Sequence, residues 1–232
     1  MSAIRLALIG MGKMGRALAQ LAPERGFRVV AEIDPSATVD RDSLRDAEVA
    51  IEFTVPEAAP ANIRACAQAQ CPIVVGTTGW YDHLPALRSE ILDASGALLT
   101  APNFSIGVAI FDRVVAEAAR LFAAAEGFEA HLTETHHSAK KDAPSGTAAK
   151  LAATAEAALG RAIPVTSVRV GSVPGIHELI FDAPFEQVRL THEARDRRVF
   201  AEGALVAAKW LIGRHGVFTM QDVLSTPSAG AR

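Results

Sequence analysis

Ile4-Arg5-Leu6-Ala7-Leu8-Ile9, running into Gly10-Met11-Gly12-Lys13-Met14-Gly15, decides the fold of this 232-residue chain. The first six residues form a compact apolar run, as a strand covered on both faces requires. The run meets three glycines at GxGxxG spacing, and a helix-like stretch, residues 13–24, follows at once. Glycines in such a turn let the backbone approach a diphosphate, while the helix that follows offers its first N–H groups and its positive dipole end. A binder of dinucleotides should then close its second strand on an acid about 20 residues further on. Asp34 does so, after the strand-like residues 28–33; Glu32 competes but lies inside that strand. The glycine spacing alone is a weak signal, because glycine turns are common. Strand, glycines, helix and acid together make a strong one.

The same alternation continues outward from this unit. Strand-like runs recur at residues 48–53, 72–75 and 97–100, with helix-like stretches at 56–69 and 81–94. Such alternation predicts right-handed crossovers and a parallel sheet. Two further loops lie at C-terminal ends of these strands, where open α/β sheets bind ligands. One is Gly76-Thr77-Thr78-Gly79, the other Ala101-Pro102-Asn103-Phe104. Taken singly, each is equally an ordinary turn with a helix cap. The pattern changes near Asn103: a long helix over 105–125 precedes segments of period two at 128–136, 165–170, 177–181 and 187–193, with an alanine-rich helix at 147–159. Period-two alternation fits a sheet with one buried face. A last helix is expected over 203–212. The fold class is therefore α/β: a Rossmann-type dinucleotide-binding domain with a second, central α+β domain.

Composition narrows the function. Half the residues are hydrophobic and the formal net charge is −3, with no long run of one sign. Neither nucleic acid nor a membrane surface has an electrostatic footprint here. The apolar run at the N-terminus is too short for a signal peptide or a membrane span. Cys66 and Cys71 form no CxxC pair and read as reduced thiols of a cytoplasmic protein. Asp34 is expected to accept the adenosine ribose hydroxyls and to repel a 2′-phosphate, which leans the cofactor toward NADH over NADPH. Pro35 stands where an arginine would have favoured NADPH, whereas Lys13 and Arg16 keep NADPH open.

Chemistry concentrates in Glu134-Thr135-His136-His137 and Lys140-Lys141-Asp142-Ala143-Pro144-Ser145-Gly146-Thr147. Histidine exchanges protons near neutral pH, and lysine donates a proton or anchors a carboxylate. Gly146 and Thr147 open the alanine-rich helix and aim N–H groups at an anion. Asp142, Ser145 or Thr147 could equally cap that helix. Strand parity sets Phe128, Ala130, Leu132, Glu134 and His136 on one face and His137 on the other. Both histidines can serve one ligand only if the strand ends or bulges between them. A solvated strand end followed by a basic turn would read the same way, and this segment alone balances the two. No HExxH or Cys/His spacing is present, so no metal is expected. His83, His177, His192 and His215 are scattered and read as surface or structural residues, with His192 on the apolar parity of Leu190 and Val188.

Along nearly its whole length the chain resembles the dihydrodipicolinate (4-hydroxy-tetrahydrodipicolinate) reductases. The resemblance rests on Gly10 to Gly15, Glu52-Phe53-Thr54, Gly76-Thr77-Thr78-Gly79, Asn103-Phe104-Ser105 with Gly107, and His136-His137 with Lys140. It continues through Asp142 to Thr147, Thr191-His192, Phe200-Ala201-Glu202-Gly203-Ala204 and Phe218-Thr219-Met220-Gln221-Asp222-Val223-Leu224. The segment from His136 to Thr147 is highly specific; the glycine loop is not.

That resemblance implies a cofactor domain built from residues 1–104 and 203–232, around a substrate-binding and oligomerisation domain of residues 105–202. It implies a homotetramer and NAD(P)H-dependent reduction of a small dicarboxylate ring in lysine and diaminopimelate synthesis. By position, His136 and Lys140 would be the proton-transfer residues, and His137, Gly146 and Thr147 would bind the substrate carboxylates. Gly10, Met11, Gly12, Lys13, Met14, Gly15, Asp34, Gly76, Thr77, Thr78, Ala101, Pro102, Asn103 and Phe104 would hold the cofactor. The chain departs from the family pattern at Glu52, where Asp is usual, at Thr135 and Lys141, and at Ile176 within Gly-Ile-His. It also lacks most of a stretch that many members carry before Val165.

Overall fold

The computed structural model describes residues 2–34 and 36–225; Pro35, with the expectation placed on it, and residues 226–232 lie outside the described residues. Two compact units divide the chain, one up to Ser105 and again from Phe200, the other Ile106–Val199.

The first unit opens with β1 (Ile4–Ile9), α1 (Lys13–Leu21), β2 (Phe27–Ile33), β3 (Val49–Glu52), α2 (Ala59–Gln68), β4 (Ile73–Val75), α3 (Leu84–Asp93) and β5 (Ala97–Thr100). The helix expected over 13–24 stops earlier, at Leu21. Pro23 follows in a short 3-10 turn, Ala22–Arg25, and Gly26 closes that turn at φ +81°. Helix α2 likewise begins at Ala59, three residues later than expected, with Pro60 in its first turn, where a missing N–H costs nothing.

The second unit holds α4 (Ile106–Ala123), β6 (Glu129–His136), α5 (Gly146–Leu159), β7 (Val165–Arg169), β8 (Ile176–Ala183) and β9 (Glu186–Glu193). The chain then returns through α6 (Arg198–Leu211), β10 (Gly216–Phe218) and α7 (Met220–Ser225). Sequence reading starts the last helix at Gly203, but α6 begins five residues earlier. Gly203 is not a helix break: a β-carbon there would stand 1.7 Å from the carbonyl oxygen of Phe104, so glycine permits the helix to press on that loop. Strand β10, three residues long, was not expected from the sequence.

The first sheet has the order β10-β5-β4-β3-β1-β2, and every neighbouring pair is parallel. Leu6, Leu8, Val49, Ile51, Val74, Val75, Leu98 and Leu99 are sealed from water. Each large aliphatic among them stabilises the sheet by about 1.5–3 kcal/mol. Ile9 pairs with Ile33 on one side and Glu52 on the other, so the loops at Gly10, Asp34 and Phe53 leave one edge of the sheet together.

The second sheet has the order β7-β6-β8-β9, with β7 parallel to β6 and the other two pairs antiparallel. Strand β6 alternates buried and half-buried residues from Ala130 to His136. Ala130 and Leu132 pack with Leu179 and Phe181 against Phe111 and Val115 of α4 and Leu151 and Ala155 of α5. Further along β6, the same inward face carries Glu134 and His136. The buried core of this unit therefore passes from apolar to charged at the end where α5 begins.

Candidate active site

The three glycines of the first unit have three different surroundings. Gly10 takes φ +94°, and a β-carbon there would lie 2.2 Å from the carbonyl oxygen of Phe53. A β-carbon on Gly15 would lie 2.1 Å from the carbonyl oxygen of Gly10. Gly12, the residue before α1, has nothing within 4 Å of that position. A tight turn, an open approach and a close helix contact are the three roles such glycines serve around a diphosphate. The open face at Gly12, next to the uncapped N-terminus of α1, fits a dinucleotide. Arg16 stiffens the loop by donating to the Met11 carbonyl at 2.9 Å.

Neighbouring loops are tied to this one. Gly76 leaves room for the Phe53 ring, which a β-carbon would meet at 2.0 Å. Glu52, fully buried, accepts from the Thr54 backbone N–H at 2.9 Å, from the Thr54 hydroxyl, and from Thr77 Oγ1 at 3.1 Å. Burial raises its pKa, against the effect of these donors. The longer Glu thus joins the ends of β3 and β4. Thr78 is exposed and Phe104 is buried, in edge-to-face contact with Phe53. Asn103 accepts from the Ser105 N–H at 2.8 Å. Asp34 is exposed and accepts from both the backbone and the hydroxyl of Ser36.

In the second unit, β6 ends at His136, which allows His137 to leave the strand instead of continuing its alternation. His136 is buried, and its Nδ1 meets the carboxylate of Glu134. Burial lowers the His136 pKa; Glu134 opposes this, and the nearby charges of Lys140 and Arg169 reinforce it. Glu134 is completely enclosed. Burial pushes its pKa up, but hydrogen bonds from Arg169, Ser167 and His136 outweigh that effect and hold it at about 2. Arg169 Nη2 donates to Glu134 Oε1 at 2.6 Å and to the Asp142 carbonyl at 2.6 Å.

His137 is half-buried, and its Nε2 accepts from Arg197 at 3.3 Å. Lys140 lies 2.8 Å from the Asp142 carboxylate, which also accepts from the Gly146 N–H. Ser145 caps α5 by accepting from the Ala148 N–H at 3.1 Å. Gly146 has open space where a side chain would begin. An internal carboxylate thus already bridges the lysine and the helix N-terminus, which is where a carboxylate of a ligand would be recognised.

Three participants escaped the sequence reading, and a fourth, Glu134, was placed on the face of His136 but given no role. Arg169 comes from β7 through the parallel β6–β7 register, which pairs it with His136. Arg197 approaches from 60 residues away. His177, read as scattered, is buried opposite Glu134 on β8, contacts the His136 ring edge-on and lies 3.3 Å from Ser145 Oγ. Its pKa falls to about 4, chiefly by burial and then by the charge of neighbouring His136. No cluster of His, Cys, Asp and Glu able to hold a metal ion exists among the described residues.

A parallel Rossmann-type sheet with this glycine loop, joined to a mixed sheet bearing a histidine–lysine cluster, defines the class: an oxidoreductase that uses a nicotinamide dinucleotide. The family profile described as dihydrodipicolinate reductase, N-terminus, matches residues 4–104, and that described as dihydrodipicolinate reductase, C-terminus, matches residues 107–224. The chain belongs to the dihydrodipicolinate reductase family. It is 35% identical to the 4-hydroxy-tetrahydrodipicolinate reductase of Christiangramia forsetii, covering 96% of this chain and 98% of that one. It is 36% identical to the enzyme of the same name from Laribacter hongkongensis, covering 97% and 99%. A dipicolinate-bound dihydrodipicolinate reductase from Paenisporosarcina has the same fold, with TM-score 0.80 and 22% identity over 94% of this chain and 97% of that one.

Proposed function

We propose that this chain reduces 4-hydroxy-tetrahydrodipicolinate, through dihydrodipicolinate, to tetrahydrodipicolinate in lysine and diaminopimelate synthesis, as a cytoplasmic homotetramer. The observation that carries this reading is the convergence of His136, His137, Lys140 and the N-terminus of α5 at one end of β6, in a chain matched end to end by reductases of that name. The residues of the first unit hold the dinucleotide: Gly10 to Gly15 at the diphosphate, Asp34 at the ribose, and Gly76 to Thr78 with Ala101 to Phe104 nearer the nicotinamide. When bound, the nicotinamide supplies the hydride.

His137, Gly146 and Thr147 bind the ring carboxylates, with the Asp142 carboxylate displaced from Gly146. Lys140, released from Asp142, contributes a proton as the reduced ring forms. His136 exchanges the proton required when the ring hydroxyl departs as water. Asp34, exposed and acceptor-only, favours a cofactor with a free ribose hydroxyl over one carrying a phosphate there. A higher kcat/KM with NADH than with NADPH is therefore expected.

The test is oxidation of reduced nicotinamide with freshly prepared aldolase product. Wild type should turn over, and His136→Ala and Lys140→Ala should each lose at least about 100-fold in kcat, the usual worth of a proton-transfer group. Unchanged turnover in both variants would overturn their assignment. A folded, NADH-binding wild type with no turnover would overturn the reaction.

A further inference from the structure

We propose that Glu134, clamped by Arg169 and the Ser145 backbone, is the positioning residue that keeps the proton of neutral His136 on Nδ1 and leaves Nε2 as the proton-accepting atom. This rests on the reading of His136 as the proton-transfer group.

The argument begins with the two carboxylate oxygens, which have different partners. Oε1 accepts from Arg169 Nη2 at 2.6 Å and from the Ser145 N–H at 3.3 Å. Oε2 faces His136 Nδ1. The carboxyl is strongly acidic, so it is ionised wherever the enzyme works, and an ionised carboxylate can only accept. Nδ1 must therefore carry the hydrogen whether the ring is neutral or charged. Which nitrogen of an imidazole is free is set by the hydrogen bond made by the other. Nε2 has no hydrogen-bond partner among the described residues. It points toward Gly175, where a β-carbon would stand 2.9 Å from it.

Arg169 serves this arrangement twice. It neutralises a charge that is fully enclosed, which an unpaired carboxylate could not tolerate. It also engages Oε1, which leaves Oε2 to face His136 Nδ1. A second fixed donor, the Ser145 N–H, comes from the start of α5. The helix that recognises the substrate carboxylate and the base that moves the proton are thus indexed to one side chain.

The decisive variant is Glu134→Gln in the full chain. Arg169 and the Ser145 N–H can only donate and both aim at Oε1, whereas the Ser167 hydroxyl can donate or accept, so the amide oxygen is drawn to the Oε1 position and the amide NH2 takes the Oε2 position. It then donates to His136 Nδ1 and forces the proton onto Nε2. Long-range proton–nitrogen spectra of labelled protein, recorded above the histidine titration range, report the tautomer directly. The His136 signals are assigned by their loss in His136→Ala.

Wild type should show the Nδ1–H form and Glu134→Gln the Nε2–H form. The kcat of Glu134→Gln should fall by about 100-fold or more, in line with a carboxylate-to-amide change behind a catalytic histidine. NADH binding should hardly move, because Glu134 bonds to His136, Arg169 and Ser145 and to none of the residues assigned to the cofactor, and the loss should fall on kcat more than on KM. Glu134→Asp, which keeps the charge, should retain the Nδ1–H form and recover part of the rate. It stands in if Glu134→Gln does not fold.

Two results overturn the proposal. One is an Nε2–H tautomer in wild type. The other is near-wild-type kcat in Glu134→Gln when His136→Ala is inactive. If instead wild type fails to reduce the ring, or His136→Ala keeps its rate, the functional reading falls, and the spectra still decide the role of Glu134.

Discussion

The Nε2 atom of His136 occupies the space that a side chain on residue 175 would enter: a β-carbon on Gly175 would lie 2.9 Å from it. Gly175 immediately precedes β8, whose residues pair with β6. Gly175→Ala must therefore move either the imidazole or the strand. Overpacking of this kind costs about 1–3 kcal/mol. The expected outcome is a modest fall in the unfolding midpoint, a fall in kcat of at least about tenfold for a misplaced base, and unchanged NADH affinity. A full-rate Gly175→Ala would show that Nε2 need not stay where the structure holds it.

A second expectation concerns acid. His177 is buried with no hydrogen-bond partner for Nδ1 among the described residues, and its pKa falls from 6.5 to about 4. His136 and His192 are also lowered, in both cases first by burial. A histidine with a lowered folded pKa binds fewer protons than its unfolded counterpart between the two values, so stability rises with pH across that interval. The urea midpoint should therefore drop as pH falls from about 6.5 toward about 4, the range set by His177. Glu134, with its pKa lowered to about 2 from 4.5, adds a second loss only below that ordinary value. His177→Asn should flatten the upper part of the curve. An unchanged slope in that variant would assign the acid sensitivity elsewhere.

The glycine loop separates folding from binding. At Gly12 a side chain has open space, and φ is −72°. Gly12→Val should leave the unfolding midpoint near wild type and weaken NADH binding by at least about tenfold, since a few kcal/mol of lost backbone contact corresponds to that or more. At Gly15 a side chain would meet the Gly10 carbonyl, so Gly15→Val should unfold the first unit or lower its midpoint sharply. Titration of NADH by fluorescence, with thermal unfolding alongside, checks both. Equal effects of the two substitutions on stability would refute the distinction.

What is legible in the sequence is whatever depends on short spacing. The apolar run of β1, the turn at Gly10 and the acid at Asp34 are local in sequence, so their pattern is visible in the letters. The alternation from Ala130 to His136 is equally local, although the strand ends at His136, so parity alone does not place His137. Helix ends were less legible, because their limits depend on packing: Gly203 reads as a break until Phe104 is placed against it. Strand β10 is three residues long and gains its identity only from pairing with β5.

The sequence by itself determined the class of the protein, the two-part organisation and the histidine–lysine segment, since each is written in contiguous motifs. Only the tertiary structure decided what surrounds that segment. Glu134 needs Arg169 from 35 residues away to remain an enclosed anion, and His177 reaches Ser145 across 32 residues. The physical reason is that a buried charge is tolerated only with its partners in place. Those partners are brought to it by sheet register, which no local spacing records.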